Sequence, residues 1–219
     1  MPDASADTAL QPLLPGLYAT PQAALPFVRG GVVRSFLLER PAGNVLIYHA
    51  PGLKMAAADI LGRGRPERLL VNHWHESMYA PSGLDVPAFV HESDRAQTRL
   101  PIAGTFSAAE MIGDDLQIVP TPGHTAGTTC FVWSSGGHRV LFPGDSIWVE
   151  NDIWKAVLLG ESERAAYVAS LEQLMALEFD TLAPWGGLAA DPITVTVPPA
   201  EARARLGEIV ARLRAGANA

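Results

Sequence analysis

The apolar runs of this chain are short, and glycine or proline cuts most of them off. Val45-Leu46-Ile47-Tyr48 runs into Pro51-Gly52, Leu116-Gln117-Ile118-Val119 into Pro120, and Val140-Leu141-Phe142 into Pro143-Gly144. Runs of that length, rich in branched and aromatic residues and bounded by turn formers, predict strands. With 20 glycines and 18 prolines among 219 residues, turns must be frequent. Strands are expected at 17–20 (on a sheet edge), 32–39, 45–48, 69–73, 88–91, 116–119, 128–133, 139–142 and 180–183. Pro41-Ala42-Gly43-Asn44 and Ser134-Ser135-Gly136-Gly137 supply two hairpin turns. Helical patterns are fewer. Residues 54–61 hold strong helix formers. Within 161–178, Val168, Leu171, Leu174 and Met175 recur on one face at three- and four-residue steps. Leu206, Ile209, Val210 and Leu213 do the same after Pro198-Pro199, where prolines suit a helix start. The order predicts sheets covered by helices, not a regular βαβ alternation. One domain over 1–219 is expected, with 1–14 a loose polar leader.

Composition narrows the function classes. Hydrophobic residues at 48% and charged residues at 18% describe a globular chain. A net charge of −7 argues against nucleic acid or an anionic membrane as a partner. No apolar stretch nears the ~20 residues of a membrane span. The first residues lack the basic-then-apolar order of a secretory signal, so a cytoplasmic location is expected. The single cysteine, Cys130, lies in an apolar run and reads as an inert buried thiol.

The histidines carry the chemistry. His73 and His75 follow the run Arg68-Leu69-Leu70-Val71. In extended backbone such a pair points both imidazoles to one side, because side chains alternate with period two. Imidazole is the commonest protein ligand for zinc and similar ions. His124 sits in the glycine-flanked stretch Thr121-Pro122-Gly123-His124-Thr125-Ala126-Gly127, and Asp145 ends a strand in Phe142-Pro143-Gly144-Asp145. These four residues make a three-histidine metal site with a nearby carboxylate. His91 and His138 read as surface or strand-end residues. Glu161, Glu163, Glu172 and Glu178 read as the solvated face of a helix. Trp74, Trp148, Trp154 and Trp185 each read as core residues, and as a group with Met78 and Tyr79 they suggest an apolar pocket.

In their order and spacing these stretches resemble the metallo-β-lactamase superfamily. Residues 71–78 correspond to its His-x-His-x-Asp-His motif, 121–127 to its histidine loop, 142–145 to its Gly-Asp turn, and 182–187 to the turn bearing its last histidine. The resemblance implies a four-layer αββα sandwich of two mixed sheets. It implies a zinc ion on His73, His75 and His124, with Asp145 as a further ligand or the catalytic acid–base group. The positions that hold a second ion in the family carry Ser77, Met78, Asp145 and Trp185, of which only the aspartate is a good ligand. One ion is therefore expected. His49 stands where the family has an aspartate behind the metal histidines, and is expected near the metal as a supporting or substitute ligand. With Ser77, Met78, Trp148 and Trp185 it should line the site. The implied activity is hydrolysis of a small ester, thioester, lactone or amide with an apolar part. The alternative is a catalytically inactive member of the fold, with Trp185 and Met78 filling the lost metal volume, that binds a small apolar ligand or a partner.

Overall fold

The computed structural model describes residues 8–217. Two large sheets face each other across a common core. The seven-stranded sheet runs, in spatial order, Gln11–Leu14, Leu17–Ala19, Phe36–Leu38, Val45–Ile47, Arg68–Leu70, Ala88–His91 and Ile102–Phe106. It is antiparallel on one side and parallel from Val45–Ile47 onward. The six-stranded sheet runs Glu110–Ile112, Leu116–Pro120, Thr129–Ser135, His138–Phe142, Thr181–Leu182 and Val195–Thr196. A third, five-stranded sheet joins Ile153–Lys155, Trp148–Glu150, Gly186–Leu188, Gly31–Val33 and Ala23–Ala24.

Alternation along the strands builds the layers. Phe36, Leu38, Val45, Ile47 and Leu70 of one sheet meet Phe131, Trp133, Val140 and Phe142 of the other in the central core. The intervening residues face outward. Leu37, Leu46 and Leu69 pack under two short helices, α1 (Gly52–Met55) and α2 (Ala57–Gly62), through Leu53 and Ile60. Cys130, Val132 and Leu141 pack under α3 (Arg164–Met175) and α4 (Pro199–Arg214), through Tyr167, Leu171, Leu174, Leu206 and Ile209. Helices thus cover both outer faces, giving the αββα arrangement. Among the described residues no helix is long and apolar enough to cross a membrane.

Several expected elements are displaced. Residues 11–14 of the expected leader form a strand, so 17–20 does not lie at the sheet edge; Gln11–Leu14 pairs outside it. Residues 1–7 fall outside the described chain. The expected strand 32–39 is two strands in different sheets, because the chain turns at Arg34-Ser35. Apolar residues on both sides of that turn, Val32-Val33 and Phe36-Leu37-Leu38, give the stretch the pattern of a single strand. The helix expected at 161–178 begins only at Arg164, where the Glu163 carboxylate caps it by accepting from the Ala165 and Ala166 N–H groups.

Candidate metal centre

The run Arg68–Leu70 is a central parallel strand, and the chain leaves its C-terminal end into the site. His73 is still extended, but residues Trp74–Met78 form a turn of 3₁₀ helix. Strand alternation therefore does not orient this pair. The tight turn does, bringing the His73 and His75 ring centroids to 5.1 Å at 79°. His124 enters from the loop after Leu116–Pro120, with ring centroids 4.8 Å from His73 and 5.0 Å from His75. One nitrogen from each ring lies within 4.8 Å of the others.

The hydrogen bonds decide which nitrogen each ring can offer. His73 Nδ1 lies 2.8 Å from Asn72 Oδ1. His75 Nε2 lies 2.8 Å from Glu161 Oε1. His124 Nδ1 lies 2.7 Å from the Val157 carbonyl. All three partners are acceptors, so these nitrogens carry the hydrogens in the neutral rings. The lone pairs are left on His73 Nε2, His75 Nδ1 and His124 Nε2. His73 Nε2 is buried with no hydrogen-bond partner, and His75 Nδ1 stands 3.0 Å from His124 Nε2. Two lone pairs that close require a cation or a proton between them. Nitrogens sharing one tetrahedral zinc at ~2.0–2.1 Å are about 3.3 Å apart, so the donor set fits such an ion.

Asp145 stands beside two of the rings, its Oδ2 3.5 Å from His73 Nε2 and 3.6 Å from His124 Nε2. Burial works to raise its pKa, but the nearby charges of His73, His124 and His75 outweigh burial and lower it. Burial works to lower His73, but Asp145, Glu76 and Asp94 together raise it. Whatever holds a proton on that buried nitrogen also attracts a metal cation. Burial, then the charge of His73, pushes His124 down to about 4 and lowers His75.

Buried carboxylates frame the cluster. Asp94 accepts from the Trp74 N–H at 3.0 Å, the Thr125 hydroxyl at 2.6 Å and the Gly127 N–H at 2.7 Å, which clamps the two histidine segments together. Glu76 accepts from the main-chain N–H groups of His49 and Asn72, at 2.5 and 2.7 Å. Burial pushes Glu76 up to about 8 against the pull of His73 and those two donors. Tyr48, held in the left-handed region at φ 65°, donates to the Ala183 carbonyl and accepts from Gly144 N. It thereby ties the Asp145 turn to the segment carrying Trp185. Gly144, at φ 55°, lies where a side chain would collide with Asn72.

The remaining expected site residues divide. Trp185 is buried, its ring centroid 5.3 Å from that of His73, and its indole N–H donates to the His49 carbonyl at 3.1 Å. Ser77 is buried and donates to the Trp74 carbonyl at 2.6 Å. Met78 is 41% exposed and lines a cleft of about 190 Å³ with Trp74, His75, Ser77 and Arg99. Trp148 lines another, of about 330 Å³, with Asp145, Leu25, Val28 and Leu158. Trp154 is a core residue stacked on Phe179. His49 does not join the three rings as a substitute ligand: its Nδ1 turns to the Glu76 carbonyl at 3.1 Å, and it reaches the cluster through Glu76 and Trp185. Burial pushes the Cys130 thiol up to about 11, which leaves it unreactive. Glu161 is not on a helix face. It precedes α3 in a loop fastened by Ser162, whose hydroxyl donates to the His124 carbonyl. Asp94, Glu76 and Asn72 gave no sequence signal, since their partners lie up to 71 residues away.

Residues 37–186 match the family model of the metallo-β-lactamase superfamily. The chain belongs to that superfamily. Solved structures agree on the fold. A metallo-β-lactamase from Erythrobacter litoralis, with β-mercaptoethanol in its active site, superposes with TM-score 0.70 at 16% identity, covering 93% of this chain and 96% of that one. One from Pontibacter korlensis gives 0.68 at 15%, covering 94% and 98%. The metallo-β-lactamase SMB-1 bound to 2-mercaptoethanesulfonate gives 0.62 at 16%, covering 91% and 92%. No curated protein sequence matches the chain.

Proposed function

We propose that this superfamily member is a hydrolase using one zinc-type ion, held by His73 Nε2, His75 Nδ1 and His124 Nε2, on a small ester, thioester, lactone or amide. The observation that carries this is the outward hydrogen bonding of the three rings to Asn72, Glu161 and Val157, which leaves three lone pairs converging. Bound there, the ion would supply a Lewis acid that polarises a carbonyl and acidifies water. Asp145, lowered into its ionised form and bordering the cleft of Trp148, Leu25, Val28 and Leu158, accepts the proton of the attacking water. The apolar walls of that cleft receive the substrate's apolar part and exclude water around the reacting bond. A second ion has no place in this scheme. Ser77 spends its hydroxyl on Trp74, Trp185 offers only an N–H already given to His49, and Met78 is a soft thioether.

Metal analysis of protein purified without chelator, joined to a panel of aryl esters, thioesters, lactones and β-lactams, tests the proposal. About one zinc-type ion per chain and metal-dependent turnover are expected. Asp145→Asn should lower kcat roughly 10²–10⁴-fold while one ion is retained. Absence of bound metal, with no thermal stabilisation on adding zinc, would overturn the proposal in favour of a binding protein.

A further inference from the structure

A cavity of about 520 Å³ opens between the strand Gln11–Leu14, the segment 20–22 and Met55 at the end of α1. Its polar wall is Gln11, Gln22 and Arg34, and its apolar wall Ala9, Pro21 and Met55. Among the described residues no acidic side chain lines it, and neither do the three clustered histidines or Asp145.

Arg34 is half-buried in this wall. One hydrogen bond places its guanidinium, Nη2 donating to Gln22 Oε1 at 2.6 Å, between two side chains that both line the cavity. That acceptor is neutral. Arg40, Arg63 and Arg205 each hold a carboxylate, but Arg34 has none among the described residues. Burial lowers its pKa, yet a guanidinium stays charged. A cation drawn out of water is seldom left without an anion to complete it. The groups around it add only donors. Gln22, with Oε1 turned to Arg34, has its NH₂ left to donate, and the Gln11 amide has no partner among the described residues. The Thr20 hydroxyl is spent, accepting from the Ser35 N–H at 3.0 Å and donating to the Pro21 carbonyl at 3.3 Å.

We propose that this cavity binds a small organic carboxylate, its head on the Arg34 guanidinium and its hydrocarbon part against Ala9, Pro21 and Met55. A single guanidinium balances a monoanion, and would leave much of the charge of a phosphate unmet. Cavities of about 150 Å³ already take a benzene-sized ring, so a ring and its carboxylate fit here with room for water. The site shares no lining residue with the histidine cluster and stands with or without a metal there.

The test uses the full chain with ¹⁵N-labelled arginine, both zinc-loaded and chelated. Benzoate, benzamide, acetate and inorganic phosphate are titrated separately at low salt and followed through the arginine Nε–H resonances. Benzoate should bind saturably in both forms and move the Arg34 resonance, about tenfold tighter than benzamide, the factor a charged acceptor adds. Acetate, lacking the ring, and phosphate should both bind more weakly. Arg34→Gln should bring benzoate down to the affinity of benzamide, and Arg34→Lys, which keeps the charge and loses the fork, should fall between. The proposal is overturned if benzoate does not saturate, if any of the other three binds as well, or if the Arg34 resonance stays still. It is also overturned if Arg34→Gln leaves binding intact, or if binding needs zinc, which would place it at the cluster. Binding that appears only after Asp3 and Asp7 are both changed to asparagine overturns it too, because the chain's own acids would then be the occupant. The wild-type titration decides the matter even if a variant fails to fold.

Discussion

Asp94→Asn should damage this protein more than any other isosteric change outside the histidines. The carboxylate is 1% exposed and accepts three hydrogen bonds. Its Oδ2 takes the Trp74 N–H and the Thr125 hydroxyl, and its Oδ1 takes the Gly127 N–H. In asparagine one oxygen becomes NH₂. The rotamer that keeps the two Oδ2 bonds sets this NH₂ against the Gly127 N–H, donor facing donor. A lost bond to a charged acceptor costs about 1.5–3 kcal/mol, and the two surviving bonds lose their charge assistance. The sum is about 3 kcal/mol, or roughly a hundredfold in the folding equilibrium. Because the same bonds position the segments of His75 and His124, zinc affinity should also fall about 10–100-fold. Urea unfolding of the chelated protein measures the first effect, and competition with a chromophoric chelator the second. An Asp94→Asn protein within 0.5 kcal/mol of wild type, with unchanged zinc affinity, would refute the clamp.

Three further outcomes are expected. Glu161→Gln removes the charge on the His75 Nε2 hydrogen bond, and zinc affinity should drop about 10-fold by competition assay, with stability in urea nearly unchanged because the side chain is 46% exposed. His124, depressed to about 4 from an ordinary 6.5, binds fewer protons folded than unfolded between those values, so the chelated protein should lose about 3 kcal/mol as pH falls from 6.5 to 4 and keep its stability above 6.5. His73 shifts the opposite way, so the measurement is the pH dependence of wild type minus that of His124→Gln, and a flat difference refutes the assignment. Finally, under the proposed one-ion reading, chelation should lower the protein's melting temperature, because His75 Nδ1 and His124 Nε2 then lose the cation between them, and an unmoved melting temperature would refute the metal centre.

Residues close in the chain announced themselves, and those joined by folding did not. His73, His75, His124 and Asp145 sit in short stretches whose glycines, prolines and strand ends are local features. The apolar stripe of α4 and the hairpin of Thr129–Ser135 with His138–Phe142 are equally local. Glu161 was hidden because acidic residues beside an Ala-rich helix read as solvated, and only the tertiary fold brings His75 to it across 86 positions. Asp94 and Glu76 are acids within polar stretches, and their burial follows from the closure of the sheets. In the structure Glu163 caps the helix that begins at Arg164, which leaves the stretch before it as a loop, free to hold a site residue.

Under the proposed one-ion reading, Ser77, Met78 and Trp185 act as one set. Trp185 fills the space beside His73 with a ring fixed at both ends, by its N–H on the His49 carbonyl and by its face-to-edge contact with His73. A histidine there would vacate volume and leave the His49 carbonyl without its donor. An aspartate at 77 would lack the hydroxyl hydrogen that now satisfies the Trp74 carbonyl, and would bring a second carboxylate near buried Glu76 with no cation to offset it. Placing a metal-binding side chain at one of these positions alone should therefore destabilise the protein without gaining an ion. Only the joint change Ser77→Asp, Met78→His and Trp185→His supplies enough ligands to offset its own desolvation. A triple variant that still binds one ion would mean that the backbone of the 3₁₀ turn Trp74–Met78, and not the side chains alone, limits the site to a single metal.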